Sequence, residues 1–68
     1  MMSIRDLVQG ARDRFVSAGI SASSAALDAE VLARRALGWD RARFLTDRNE
    51  QASSSFVLTY EPLVARRE

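Results

Sequence analysis

The sequence predicts an all-α fold, a small bundle of four or five short helices. Apolar residues recur at helical spacing along most of the 68 residues, and no segment alternates apolar and polar residues as a half-buried strand does. Glycine and serine mark the ends of the helical segments. A single domain of this length has a core near the lower limit for independent folding. Because the sequence contains no cysteine, helix packing has to supply its stability.

The first predicted helix covers residues 4–18. Ser3 is a suitable N-cap, and Asp6 lies three residues later, as in a capping box. Its apolar face consists of Ile4, Leu7, Val8, Ala11, Phe15 and Val16. Its polar strip, which we expect to face water, consists of Arg5, Arg12 and Asp13. Gly10 predicts a close crossing with another helix, and Gly19 predicts the end of the helix.

A central helix is predicted over residues 25–37. One broad apolar arc is made up of Ala25, Ala26, Ala29, Leu32, Ala33, Ala36 and Leu37. Leu27 and Val31 lie on nearly the opposite side, so we expect neighbours to bury this helix on both sides. Ser23 or Ser24 is the predicted N-cap.

At the other end of the central helix, Gly38 supplies a left-handed stop, and Trp39 is placed to fold back over the last turn.

Two further helices are predicted after Gly38. Asp40 is expected to cap a short helix over residues 41–46, with an apolar face of Ala42, Phe44 and Leu45. A serine within residues 53–55 caps the last helix, whose apolar face is Phe56, Val57, Tyr60, Leu63 and Val64. Pro62 removes a helical hydrogen bond, so we expect a kink or two helices that meet near Tyr60.

The remaining segments are predicted to be irregular. Met1 and Met2 are expected to be frayed, residues 20–24 to form a loop, and residues 47–51 to form a polar turn. The predicted core consists of Phe15, Leu32, Leu37, Phe44, Phe56 and Val64.

Composition excludes several function classes. Without histidine and cysteine the commonest metal ligands are missing, and no nucleophile lies beside a base, so we assign no catalytic, cofactor-binding or metal-binding residue. Tyr60 is expected to belong to the core. No secretory signal or membrane span is present, so we expect a soluble, cytoplasmic domain. A formal net charge of +1 argues against a nucleic-acid partner. The composition therefore indicates a binding or auxiliary module.

A candidate partner-binding site consists of Trp39, Arg41, Arg43 and Arg48. Exposed arginines beside an aromatic side chain are typical of protein-binding surfaces, because guanidinium groups pair with carboxylates and stack on rings. The alternative is a solvated face, with Trp39 only closing the helix end. On that interpretation three nearby carboxylates neutralise the arginines: Asp40, Asp47 and Glu50.

Four stretches carry a resemblance to a known family. They are Ala-Gly-Ile at residues 18–20, Leu-Asp-Ala-Glu-Val-Leu at 27–32, Ala-Leu-Gly-Trp-Asp-Arg at 36–41 and Leu-Val-Ala-Arg-Arg-Glu at 63–68. In order and spacing the chain resembles the N-terminal domain of the release-factor glutamine methyltransferases, the HemK family. The resemblance implies a small helical domain that helps to dock a peptide-chain release factor beside a Rossmann-like catalytic domain. That domain would use S-adenosylmethionine to methylate the glutamine of the Gly-Gly-Gln loop.

The catalytic motifs of the family are absent from the chain. It contains neither the Asn-Pro-Pro-Tyr motif nor the glycine-rich cofactor loop, so no catalytic or cofactor residue is transferred to any position. We therefore expect an inactive, excised domain whose partners are the release factor and its own catalytic domain. A small helical nucleic-acid-binding module and a homodimerising module remain the alternatives.

Overall fold

The computed structural model describes residues 2–68, which form four α-helices. They are α1 (Ile4–Ser17), α2 (Ala22–Leu37), α3 (Arg41–Asp47) and α4 (Ser54–Arg67). Within the described residues there is no strand, only an isolated antiparallel bridge between Ser3 and Gln51. The predicted all-α bundle is confirmed, with four helices, whereas the prediction for Met1 lies outside the described residues.

The start of α1 is held by the predicted capping box. The Asp6 amide donates to the Ser3 hydroxyl, and the Ser3 amide donates to the Asp6 carboxylate, each at 3.1 Å. Hydrogen bonding of the Asp6 carboxylate to Ser3, first to its backbone amide and second to its side chain, holds the pKa of Asp6 below its ordinary value of 3.8. At the other end Gly19 has a φ of +99°, and the amides of Gly19 and Ile20 donate to carbonyls of the last turn at 3.0 Å. This hydrogen-bond pattern is that of a Schellman motif.

Two predictions near the N-terminus are wrong. Gly10 is exposed, and a Cβ atom there would meet nothing within 4 Å, so no helix crosses at this glycine. The reason is that α1 is buried through another face, which carries Ala11 and Phe15. Met2 is not frayed, because its carbonyl accepts a hydrogen bond from the Ala52 amide at 3.1 Å.

The helix α2 begins earlier than predicted. Its N-cap is Ser21, whose side chain makes no capping bond, so the prediction of a cap at Ser23 or Ser24 is wrong. The Ala25 amide donates to the Ser21 carbonyl at 2.8 Å, which makes the whole preceding turn helical. Gly38 ends the helix as predicted, with a left-handed φ of +69°.

Alanines form the buried side of α2. Ala25, Ala29 and Ala33 are fully buried, and α2 packs against both α1 and α4. Leu32 and Leu37 are only partly buried and pack against the buried cluster, so their predicted place in the core is confirmed only in part. The expected burial on both sides is also wrong, because Leu27 and Val31 are 59% and 44% exposed. Both α1 and α4 thus lie on the alanine side of α2, where the small methyl side chains permit close packing.

The core of the bundle joins these alanines to side chains from all four helices. Its buried members are Ile4, Ala11, Phe15, Ala25, Ala29, Ala33, Phe44, Phe56, Tyr60 and Val64. Four predicted core residues are therefore confirmed: Phe15, Phe44, Phe56 and Val64.

The short helix α3 contributes one core residue. Asp40 caps it, because its carboxylate accepts the Arg43 amide at 2.8 Å. Phe44 is buried, whereas Ala42 and Leu45 are exposed and do not complete the predicted apolar face. A helix of seven residues places too few positions on one side to bury three of them here.

The last helix is continuous. Ser53 caps α4 through a 3.1 Å bond from the Phe56 amide, and α4 contains Pro62 within one helix, so the predicted division into two helices is wrong. Pro62 is exposed, and Leu58, whose carbonyl would have accepted its amide, is 76% exposed. Water can therefore solvate this carbonyl.

Only part of the predicted face of α4 is buried. Val57 is exposed and Leu63 is only partly buried. Across residues 2–68, the described helices lack the combination of length and apolar character that crossing a membrane requires.

Candidate partner-binding site

The corner between α2 and α3 positions Trp39 and Arg43. The amides of Gly38 and Trp39 both donate to the Arg34 carbonyl, at 2.8 and 3.1 Å, which turns the chain after α2. The Arg43 guanidinium carbon lies 4.8 Å from the centroid of the Trp39 ring, a cation–π contact. Trp39 is half-buried against the core, so one part of the ring closes the helix end and another supports Arg43.

The carboxylates near this corner have different roles. Asp47 pairs with Arg43 along α3, with 3.4 Å between Oδ2 and Nε. Asp40 uses its carboxylate to cap α3. Glu50 forms no ion pair with any residue of the described chain, although its carbonyl accepts the Ile4 amide. Only one of the three carboxylates thus neutralises a candidate arginine directly.

Arg41 pairs with an acidic residue of α2. Its Nε lies 3.4 Å from Oε2 of Glu30, and Arg34 Nη1 lies 3.7 Å from the same oxygen. The Glu30 side chain is only 16% exposed, whereas that of Arg41 is 68% exposed. The Glu30 Oε2 atom is shielded from solvent and accepts no hydrogen bond from any residue within 2–68, so the two guanidinium groups stabilise it by charge.

Arg48 belongs to another surface. It ends α3, its carbonyl accepts the Arg5 amide at 2.8 Å, and it is one of the residues that line a cleft between α1, α2 and α3. This cleft of about 160 Å³, here called the arginine cleft, is also lined by Arg5 and Arg12 of α1. The structure therefore places Trp39 with Arg43, and separately Arg48 with two arginines that the sequence assigned to a water-facing strip. The spacing of Arg5 and Arg12 put both on one face of α1, but nothing local indicated that Arg48 would join them.

Tyr60 is a core residue, as expected. Its ring stacks on Phe56 with centroids 4.9 Å apart, and its hydroxyl donates to the Ala29 carbonyl at 2.9 Å. Burial raises the pKa of this hydroxyl above its ordinary value. The hydroxyl thus ties α4 to α2.

Ion pairs on the surface link the helices further. Arg14 of α1 donates to Glu61 and Glu68 at 2.8 Å, and these hydrogen bonds raise the pKa of Arg14. Arg67 of α4 donates to Asp28 of α2 at 2.9 Å. These arginines are engaged within the bundle. In the part of the chain that the structure describes, no group of three or more acidic side chains is placed to hold a metal ion.

Comparison with known proteins gives one match. The family model described as the PrmC N-terminal domain matches residues 6–68. No curated protein and no solved structure matches the sequence. Since the match covers nearly the whole chain, the chain belongs to the family of N-terminal domains of the PrmC or HemK release-factor glutamine methyltransferases.

Proposed function

We propose that this domain docks a peptide-chain release factor beside a catalytic domain that methylates its Gly-Gly-Gln glutamine. The observation that carries the proposal is the family match over residues 6–68. In this role residues 2–68 contribute binding energy and orientation, and the chemistry takes place in the catalytic domain. Because its target acts on the ribosome, the proposed role places the domain in the cytoplasm.

The contact surface proposed for the release factor is centred on Trp39 and Arg43. An aromatic ring with a guanidinium group over its face offers apolar area together with a directional cation, a combination favoured at protein interfaces. Arg41 extends the positive charge of this corner, since most of its side chain is exposed. Because a few residues at one corner bury only a small area, we expect this contact to act together with contacts made by the catalytic domain.

S-adenosylmethionine is proposed to bind the catalytic domain and not this chain. Methyltransferase and nucleotide sites of the Rossmann type place a glycine-rich turn between a strand and a helix. Residues 2–68 offer helices joined by short connections, and none of these connections follows a strand. Calorimetric titration of the chain with S-adenosylmethionine is the test, and micromolar binding would contradict this part of the proposal.

The docking role is tested by fluorescence anisotropy of the labelled chain titrated with a bacterial release factor at low and moderate salt. We expect the R41E/R43E variant to weaken binding about tenfold at low salt, through slower association. R35E/R66E is the matched control, because it reverses two charges in the last turns of α2 and α4. The affinity of that control for the release factor should be within about twofold of the parent's, because exposed charges outside the contact surface contribute little to binding.

Three results would contradict the proposal. If the parent chain did not bind the release factor, the docking role would be wrong. Equal losses in both variants would exclude the α2–α3 corner as the contact surface. Salt-dependent binding to nonspecific duplex DNA, or concentration-dependent sedimentation of the chain alone, without release-factor binding, would favour a nucleic-acid-binding or a homodimerising module respectively.

A further inference from the structure

Four arginines form no ion pair with any described residue, and two of them meet in the arginine cleft. These four are Arg5, Arg35, Arg48 and Arg66. Among the described residues, Arg12, the third arginine of the cleft, forms an ion pair only with its neighbour Asp13, at 3.7 Å between two well-exposed side chains. An exposed ion pair at this distance contributes little to the free energy of folding. The cleft thus gathers three cations that the fold leaves largely uncompensated.

The fold determines the position of these cations. The Arg5 amide lies in the first turn of α1, where amides have no acceptor within the helix. It donates instead to the Arg48 carbonyl at 2.8 Å. The neighbouring Ile4 amide donates to the Glu50 carbonyl at 2.9 Å. These two hydrogen bonds attach the first turn of α1 to the segment after α3. Arg12 follows Arg5 by two helical turns, so it lies on the same face of α1.

The cleft also has an apolar lining. Val8, Ala26 and Phe44 contribute to it, and Phe44 is buried in the core. Its volume of about 160 Å³ is similar to that of a cavity that accepts a benzene-sized group. One large apolar side chain of a ligand therefore fits beside the arginines.

Glu30 is the acidic residue in the lining, and it is already engaged. Its carboxylate, of which Oε2 is shielded from solvent, lies within ion-pair distance of Arg34 and Arg41, neither of which lines the cleft. Its negative charge is therefore shared with two other cations. The lining thus contains three arginines and one carboxylate, whose charge is already shared with cations outside the cleft.

We propose that the arginine cleft binds an acidic peptide segment of a protein partner. Carboxylates of the segment pair with Arg5 and Arg48, and an apolar side chain between them contacts Val8 and Phe44. Guanidinium groups pair bidentately with carboxylates, whereas the apolar lining gives nothing to a phosphate backbone. This inference deepens the proposed docking role and rests on it, and it adds a second contact surface apart from Trp39 and Arg43.

The test is a titration of the isotope-labelled 68-residue chain with the blocked peptide Glu-Asp-Phe-Asp-Glu, followed by NMR. We expect amide shifts to concentrate around the arginine cleft and R5Q/R48Q to lower the affinity about tenfold. The matched control is R35Q/R66Q, which removes two charges that also form no ion pair but do not line the cleft. It should change the affinity less than about twofold. A thermal melt of each variant verifies that it is folded, and the single variant R12Q gives an independent, smaller loss.

Several outcomes would overturn the inference. The inference would be wrong if the neutral peptide Gln-Asn-Phe-Asn-Gln bound as tightly as the acidic peptide. It would also be wrong if both double variants lost the same affinity for the acidic peptide. Displacement of the peptide by a single-stranded oligonucleotide at lower concentration would assign the cleft to phosphates. If the release factor bound the R5Q/R48Q variant as it binds the parent, the cleft inference would fail while the docking role stood. If the parent bound the peptide but no release factor, the docking role would fail, and the cleft would still select carboxylates.

Discussion

Replacing Ala29 by leucine tests the packing of α2 most directly. Ala29 is fully buried, and its carbonyl accepts the Tyr60 hydroxyl at 2.9 Å, so α4 lies against α2 at this position. Leucine adds three carbon atoms where no solvent-exposed space exists. The helices have to separate, or the new side chain has to take a strained rotamer.

The expected cost follows from these two contacts. Overpacking a close-packed site costs about 1–3 kcal/mol. Loss of the Tyr60 hydrogen bond as the helices separate adds about 0.5–1.5 kcal/mol. We therefore expect Ala29→Leu to lower the free energy of unfolding by about 1.5–4.5 kcal/mol, a large part of the stability of so small a domain. For a domain of this size the Tm should fall by at least about 6 °C.

The assay is thermal and urea unfolding followed by far-UV circular dichroism, with Leu27→Ala as the control. Leu27 is on the same helix but exposed, so its truncation should change the free energy of unfolding by less than about 0.5 kcal/mol. This order inverts the usual one, in which removing a leucine costs more than adding one. An Ala29→Leu variant as stable as the parent, or a larger cost for Leu27→Ala, would refute the alanine-centred core.

Three further predictions concern stability. Gly10→Ala should raise the free energy of unfolding by about 0.5–1 kcal/mol in urea, because a Cβ there meets nothing within 4 Å, and a decrease would reveal an unexpected neighbour. Tyr60→Phe should lower it by about 0.5–1.5 kcal/mol at neutral pH through the lost bond to Ala29. Because burial raises the pKa of Tyr60, the parent loses stability as the pH rises above 10, and the variant does not lose stability through this residue. The difference in free energy of unfolding between the two proteins should therefore become smaller above pH 10. A difference that stayed constant would contradict the burial of this hydroxyl. The capping box holds the pKa of Asp6 below 3.8. Asp6→Asn should therefore have a lower free energy of unfolding than the parent above that pH, and this difference should vanish as the pH falls through the lowered pKa. Acid unfolding of both proteins measures the difference.

The sequence by itself determined the features that depend on neighbouring residues. The capping box of Ser3 and Asp6, the Asp40 cap and the left-handed stops at Gly19 and Gly38 all appear where they were predicted. Each of them is a set of hydrogen bonds or backbone angles spanning only a few residues, so local chemistry decides it. The helical spacing of apolar residues likewise predicted four or five helices with approximate bounds, and the described chain has four.

Only the tertiary structure decided which part of each apolar arc is buried. Along α2 the arc contained both alanines and leucines, and the packing of α1 and α4 buried Ala29 fully and Leu32 only in part. Spacing cannot make this choice, because it depends on the distance to other helices. Pro62 stays within one helix for a similar reason: its side of α4 faces water, which solvates the carbonyl it leaves free.

The candidate sites divide in the same way. Trp39 and Arg43 are four residues apart on one corner, so the sequence could place them together, and they are in contact. Arg48 and Arg5 are distant in sequence, and a backbone hydrogen bond between α1 and the end of α3 brings them to one cleft. Local spacing determines which charges share a helix face, whereas the pairing of one helix with the end of another determines which charges of different helices converge.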